Sequence, residues 1–196
     1  LSVSSTGNTC EATLVGGYFS SAASALYIRE STAANARYLQ LNGSWSGTRT
    51  NLLGLTVINL KSLLGKTYVY EAASGTALSD NKCWGKILFE DKAGPVLTNL
   101  PNDTVFCWNI NGFLAQKGLY SAEAKTLSLT SNGTMAVNVP TVAENCGIEA
   151  VTVTDVLTTP SDCNPVYTRT WKVTDCGGNT ATISHTVMLV QPNWDG

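Results

Sequence analysis

The residues in this chain with the clearest capacity for chemistry are six cysteines, Cys10, Cys83, Cys107, Cys146, Cys163 and Cys176, and a single histidine, His185. A structural zinc site needs close pairs of such ligands, and no C-x-x-C occurs here. An even number of widely spaced cysteines in a Ser/Thr-rich chain points instead to disulfides formed in an oxidising compartment. Nucleophilic catalysis would need a base beside a serine or cysteine. His185 stands in an alternating run beside Ile183 and Val187, and no G-x-S-x-G elbow is present. It therefore reads as a histidine on a half-buried sheet face rather than as part of a triad. Glycoside hydrolysis would need two facing carboxylates. Glu90, Asp91, Asp155 and Asp175 each fall at a strand end or turn, where acids cap backbone amides. No catalytic residue and no resident cofactor is expected.

Two binding chemistries remain. Glu90 and Asp91, joined by Asp103 or Asp195, could offer oxygen ligands to calcium. Without a D-x-D-x-D loop, a solvated acidic linker is the favoured reading of that segment. The five tryptophans raise carbohydrate binding. Trp171 alternates with Val173 and reads as core, while Trp84 and Trp108 adjoin cysteines and are expected to pack on disulfides. Trp45, in the loop 42–50, and Trp194 are the two expected at the surface. Arg169 shares a face with Trp171, so an inward orientation would require a carboxylate such as Asp155.

The elements that must position these groups read as strands throughout. Residues 167–173 and 180–190 alternate polar with apolar around the turn 175–179 and predict a hairpin. Residues 104–108, 126–129, 135–139 and 149–155 continue the pattern, as do 11–14, 25–28, 38–41, 55–60, 67–71 and 86–89 upstream. Residues 20–25 and 59–64 could each carry a helical turn. The polar stretch 90–95 ends in Gly-Pro and marks a boundary. The reading is all-β: two tandem immunoglobulin-like β-sandwiches stapled by disulfides, over 1–92 and 93–196. The chain is 196 residues long, 43% hydrophobic and 13% charged, with a formal net charge of −2. No basic run offers a footprint for nucleic acid, no apolar run is long enough for a membrane span, and the hydrophobic content argues against disorder. No leader precedes the strand-like start at Leu1, which suggests a processed form or a piece of something larger.

The boundary and the strand order suggest how the cysteines pair. Bridges kept within domains force Cys10–Cys83. In the second half, the loop 140–148 and the turn 175–179 lie at one end of the sandwich, carrying Cys146 and Cys176. Cys163 and Cys107 lie at the other end. Joining Cys163 to Cys176 would span a strand of roughly 25 Å, whereas a disulfide tolerates about 4.4–6.8 Å between Cα atoms. The expected bridges are therefore Cys107–Cys163 and Cys146–Cys176.

Certain motifs carry a family resemblance. Asn81-Lys82-Cys83-Trp84-Gly85, leading into Glu90-Asp91-Lys92, resembles a repeat junction in large secreted surface proteins of Bacteroidota. Arg169-Thr170-Trp171-Lys172-Val173-Thr174-Asp175-Cys176-Gly177-Gly178-Asn179-Thr180 resembles the R-T-W-x-x-T-D-x-C-G-N-T signature of their hyalin-repeat-like (HYR-like), immunoglobulin-like modules. Glu144-Asn145-Cys146-Gly147 is similar to the D-x-C-G loop of the same module. Here the cysteine of the turn at 175–179 comes one residue earlier than in the family pattern. The resemblance covers most of 81–190 and only weakly 1–80. It implies export by a type IX-like route, a place in adhesins, surface fibres or matrix, and no catalytic residues. Asp103-Thr104-Val105 also resembles the D-S/T-hydrophobic O-glycosylation motif of that phylum, marking Thr104 as a candidate site.

The expected function is a non-enzymatic, extracellular or cell-surface subunit or repeat of a filament, fibre or adhesin. Its partners would be copies of itself or adjacent repeats, meeting through strands at 1–5 and 182–190 whose edges carry little Lys or Pro. The alternative is a secreted module binding carbohydrate or a surface through the Trp45 loop, with surface glycans as partners.

Overall fold

The computed structural model describes the chain except for residues 6–8, 17–18, 20–22, 75–81, 131–136, 161–163 and 193–196. It divides into two compact units, Leu1–Ala93 and Gly94–Gly196. Both are built of strands, as the alternating sequence requires.

The first unit holds a six-stranded sheet. Its strands are β1 (Ser2–Ser4), β3 (Ala25–Arg29), β4 (Tyr38–Leu39), β5 (Trp45–Ser46), β7 (Thr67–Ala73) and β8 (Lys82–Glu90), in the order β1-β8-β7-β3-β4-β5. A separate pair, β2 (Ala12–Thr13) with β6 (Thr56–Val57), completes it. Leu26, Ile28, Ile87 and Phe89 alternate inward and join Leu14, Leu39, Leu52, Leu60 and Leu63 in the core. The helical turn anticipated near 59–64 is a single 3-10 turn, Leu60–Ser62. Across the central pair, Tyr70 stands opposite Gly85, and its ring fills the space that a Cβ there would need.

The second unit is a four-stranded sheet ordered β10-β16-β15-β14, from β10 (Asp103–Phe106), β14 (Ile148–Thr159), β15 (Val166–Asp175) and β16 (Thr180–Val190). The hairpin of β15 and β16 has the register the alternation implies, with Trp171 opposite Ile183. Its turn is organised by buried Asp175, whose Oδ1 accepts from the amides of Gly177 and Asn179, both at 2.8 Å. Gly178 takes a φ of 87° there, a conformation glycine adopts without steric cost. Two small sheets complete the unit: β9 (Val96–Thr98) with β13 (Thr141–Ala143), and β11 (Gly118–Ser121) with β12 (Thr126–Leu129). Of the expected strand 135–139, residues 137–139 are irregular and the rest lies outside the described residues. Strand character is expected up to residue 108, but β10 ends at Phe106 and a 3-10 turn, Cys107–Asn109, leads into a short helix, α1 (Ile110–Leu114).

Both units share one feature that alternation does not encode. The first strand of each main sheet runs parallel to the last: β1 beside β8, and β10 beside β16. In the second unit, Gly94 lies against Asn179, since a Cβ built on it would come 3.4 Å from that of Asn179. The chain thus enters beside the start of β16 and leaves from its far end, roughly 35 Å away at the usual rise.

Gly118 sets how closely the β11–β12 hairpin lies on the main sheet. A Cβ at that position would meet Val151 Cγ1 at 2.5 Å, Val153 Cγ2 at 3.1 Å and Trp171 Cζ3 at 3.3 Å. Gly118→Ala is expected to cost about 1–3 kcal/mol through overpacking, read as an earlier midpoint in chemical denaturation. An unchanged midpoint would mean that the hairpin does not lie on this face.

Candidate functional site

The second unit is organised around a buried polar band. Asp155, Arg169 and His185 stand directly opposite one another across β14, β15 and β16. Arg169 is wholly buried. It donates from Nε to Asp155 Oδ1 at 2.7 Å and from Nη2 to Asp155 Oδ2 at 2.8 Å. It also donates to Gln116 Oε1 at 2.7 Å and to the Phe113 carbonyl at 2.8 Å, and its guanidinium lies 4.0 Å from the Phe113 ring centroid. The inward Arg169 paired with Asp155 is thus present as its shared face with Trp171 implied. Asp155 itself lies well inside β14 rather than at a strand end.

His185 continues the band. Its Nδ1 is 2.8 Å from the Pro101 carbonyl and 3.4 Å from Asp103 Oδ2. Asp103 accepts from the backbone amide and side chain of Asn138. Burial raises the Asp103 carboxyl above its ordinary 3.8, against the opposing pull of Asn138, His185 and Arg169. The geometry of the band is that of a scaffold: every nitrogen of the Arg169 guanidinium is matched to an acceptor, while His185 Nε2 is buried with no partner among the described residues.

The six cysteines do not pair as the boundary argument implied. Cys10 and Cys146 are disulfide-bonded, whereas Cys83 and Cys107 carry free thiols. Cys10–Cys83 fails on strand geometry. Cys83 opens β8 opposite Ala72, while the Cys10 carbonyl accepts from Leu60, in the turn that leads to Leu64 beside Phe89. Cys83 and Phe89 are six residues apart on one strand, roughly 20 Å. Cys107 begins a 3-10 turn, Cys107–Asn109, with its thiol unbridged, and Cys163 lies outside the described residues. The loops of Cys146 and Cys176 do meet, the Cys176 amide donating to the Gly147 carbonyl at 3.0 Å, but the bond of Cys146 is not made to Cys176.

The tryptophans are also redistributed. Trp171 is fully buried. Trp45 belongs to β5, half-buried, with its ring 5.0 Å from that of Tyr68, and is not an open loop platform. Trp194 lies outside the described residues. Trp84 and Trp108 do not pack on disulfides. Trp84 is 70% exposed, and Trp108 is 59% exposed and stacks on Phe106 at 4.6 Å. Their outward faces follow from strand register and turn geometry, which a neighbouring cysteine does not reveal.

The acidic linker residues are engaged by protein donors. Glu90 accepts from the Ser2 hydroxyl and lies 3.2 Å from Lys92 Nζ; these two contacts hold its carboxyl below the ordinary value, the hydroxyl contributing more. Asp91 Oδ1 accepts from Ser5 at 2.7 Å and from the Ala93 amide at 3.1 Å. Thr104 is exposed on the edge strand β10, opposite Met188.

One further surface was not singled out from sequence: β14, the twelve-residue edge of its sheet. Among the described residues its outer side is unpaired, and near its end Val156 and Leu157 are 60% and 46% exposed.

Comparison with known families places part of this architecture. Residues 121–189 match the model of the HYR-like domain with 4 cysteines. The matched residues lie within the second unit. The matched stretch is less than half of the chain and contains Cys146, Cys163 and Cys176; Cys107 precedes it. Among solved structures, the human desmocollin-1 ectodomain aligns with 97% of this chain and 38% of its own, at 12% identity and a TM-score of 0.23, a likeness too low to argue from. No curated protein matches the chain. No catalytic family is indicated, and no helix among the described residues is long and apolar enough to cross a membrane.

Removing one partner from the polar band tests its structural role. Asp155→Ala leaves the Arg169 charge buried without its carboxylate and is expected to cost about 3–5 kcal/mol of stability. Denaturation with an unchanged midpoint would place Arg169 in contact with water instead.

Proposed function

We propose that this chain is a non-enzymatic repeat or subunit of an extracellular fibre, filament or adhesin, and that copies associate through the open edge of β14. The single observation that carries this reading is that edge: a twelve-residue strand, unpaired on its outer side among the described residues, with Val156 and Leu157 exposed near its end. An unguarded edge is a template for another strand, and proteins that stay monomeric usually protect it with Lys, Pro or a bulge. No Lys or Pro lies within β14, and its register is regular from Ala150 to Leu157, with irregularities only at its two ends.

Two further features support it. The chain enters and leaves the second unit at opposite ends of β16, as a module in a linear array must. The units also differ in charge: the first carries eight Lys and Arg against six Asp and Glu, the second four against eight. Neighbouring copies would therefore find complementary fields when unlike units meet. Of the two terminal segments expected from sequence to make such contacts, β1 stands at the edge of its sheet but is three residues long, and 182–190 fits less well. β16 is already paired on both sides, by β10 and β15, which leaves β14 as the available long edge.

Sedimentation velocity over a concentration series tests the proposal. Wild-type protein should associate as its concentration rises, to a dimer at least, and Val156→Lys should remain monomeric. Because Val156 is exposed, the substitution should alter stability by no more than about 0.5 kcal/mol. Wild-type protein that stays monomeric at every concentration, or a Val156→Lys variant that associates like wild type, would overturn it.

A further inference from the structure

The outer face of the first unit's sheet holds a cleft unconnected with β14. Residues directly opposite in a sheet share a face. Tyr27, Glu71 and Trp84 stand opposite one another across β3, β7 and β8. Arg29 and Lys86 flank Val69 one step along, and Lys82 lies opposite Ala73 on the other side. Leu26, Ile28, Ile87 and Phe89 fill the core on the reverse side, so this face carries the polar and aromatic residues. Arg29, Thr32, Glu71, Lys82 and Trp84 line a cleft of about 280 Å³.

Its charges are uneven. Glu71 is nearly buried and lies 3.0 Å from Arg29 Nε and 3.2 Å from Arg49 Nη2. Arg49 is held over Tyr38 and Tyr27, at 4.9 and 5.5 Å from their ring centroids. One carboxylate thus faces two guanidiniums, and Lys82 adds a third positive charge. Arg29 Nε is buried and close to Glu71, yet its N–H is not aligned on any acceptor among the described residues. The Arg29 side chain is still 20% exposed, so its guanidinium can reach an additional acceptor entering the cleft. Beside it, Trp84 presents an open indole face.

Cations and a flat aromatic at one small cleft select a ligand with both features. A neutral sugar would use the indole but leave the positive charge in excess of Glu71, Lys82 included, unmatched. A simple carboxylate would engage the cations but leave the indole bare. A sugar acid satisfies both, and the cleft volume sits at the small end of ligand sites, suited to one ring. We propose that this cleft binds a carboxylated sugar, with the pyranose C–H face on Trp84 and the carboxylate on Arg29 and Lys82.

Calorimetric titration of the full chain with D-glucuronate, D-glucose and acetate tests the assignment. Saturable binding of glucuronate is expected, at least tenfold tighter than either other probe and weakened by added salt. Trp84→Ala should weaken it roughly tenfold, the size of one aromatic contact, and Lys82→Gln should weaken it less. Both side chains are exposed, so unfolding midpoints should match wild type. No saturable binding, glucuronate affinity that survives Trp84→Ala, or acetate or glucose binding equal to glucuronate would each overturn the proposal.

Discussion

A first strand lying parallel to the last constrains each unit more than any other pairing. Neighbouring parallel strands cannot be joined by a tight turn, so the intervening chain must form the rest of the sheet and its covering elements before returning. In the second unit this places β10 beside β16 and requires β14 to occupy the far edge, since β15 and β16 are joined by the tight turn at Asp175. The open edge and the opposite-ended path of the chain thus have one cause. The position of β14, rather than its composition alone, is what leaves it available to a neighbour.

The buried band Asp155–Arg169–His185 determines what lies inside that frame. It divides the apolar interior into two clusters, one around Val105, Phe113, Val187 and Leu189, the other around Leu127, Ile148, Trp171 and Val173. A guanidinium in such a place is tolerable only when its nitrogens find acceptors, and all three do, from β14, Gln116 and the carbonyl near the end of α1. One side chain therefore fixes the short helix, the loop after it and the edge strand relative to the sheet. A buried pair of this kind adds specificity of arrangement more than net stability.

Much of this was legible in the residues. Alternation gave β12, β15 and β16 closely, because long or well-bounded period-two runs with turn residues between them leave little choice of register. Arg169 and Asp155 were legible as partners because a charge on the Trp171 face has to be neutralised. Parallel pairing was not legible, since alternation reports which face a residue takes and not which strand lies alongside. Strands of two residues, such as β4 and β5, are too short to carry a period, and α1 has five residues, barely one turn. The Cys10–Cys83 pairing rested only on bridges staying within a domain, whereas the register of β8 places Cys83 far from Cys10. Trp84 was misread with it. The cleft beside Trp84 depends on residues more than fifty positions apart meeting across strands, which no local pattern records.

The central claim is that the outer edge of β14 is the surface through which copies meet. Site-resolved hydrogen exchange, compared between dilute and concentrated protein, addresses it most directly. The amides of β14 that point away from β15 should exchange freely when dilute and become protected when concentrated, while those bonded to β15 stay protected throughout. Assembled protein whose outward β14 amides exchange as fast as in the dilute sample would contradict it.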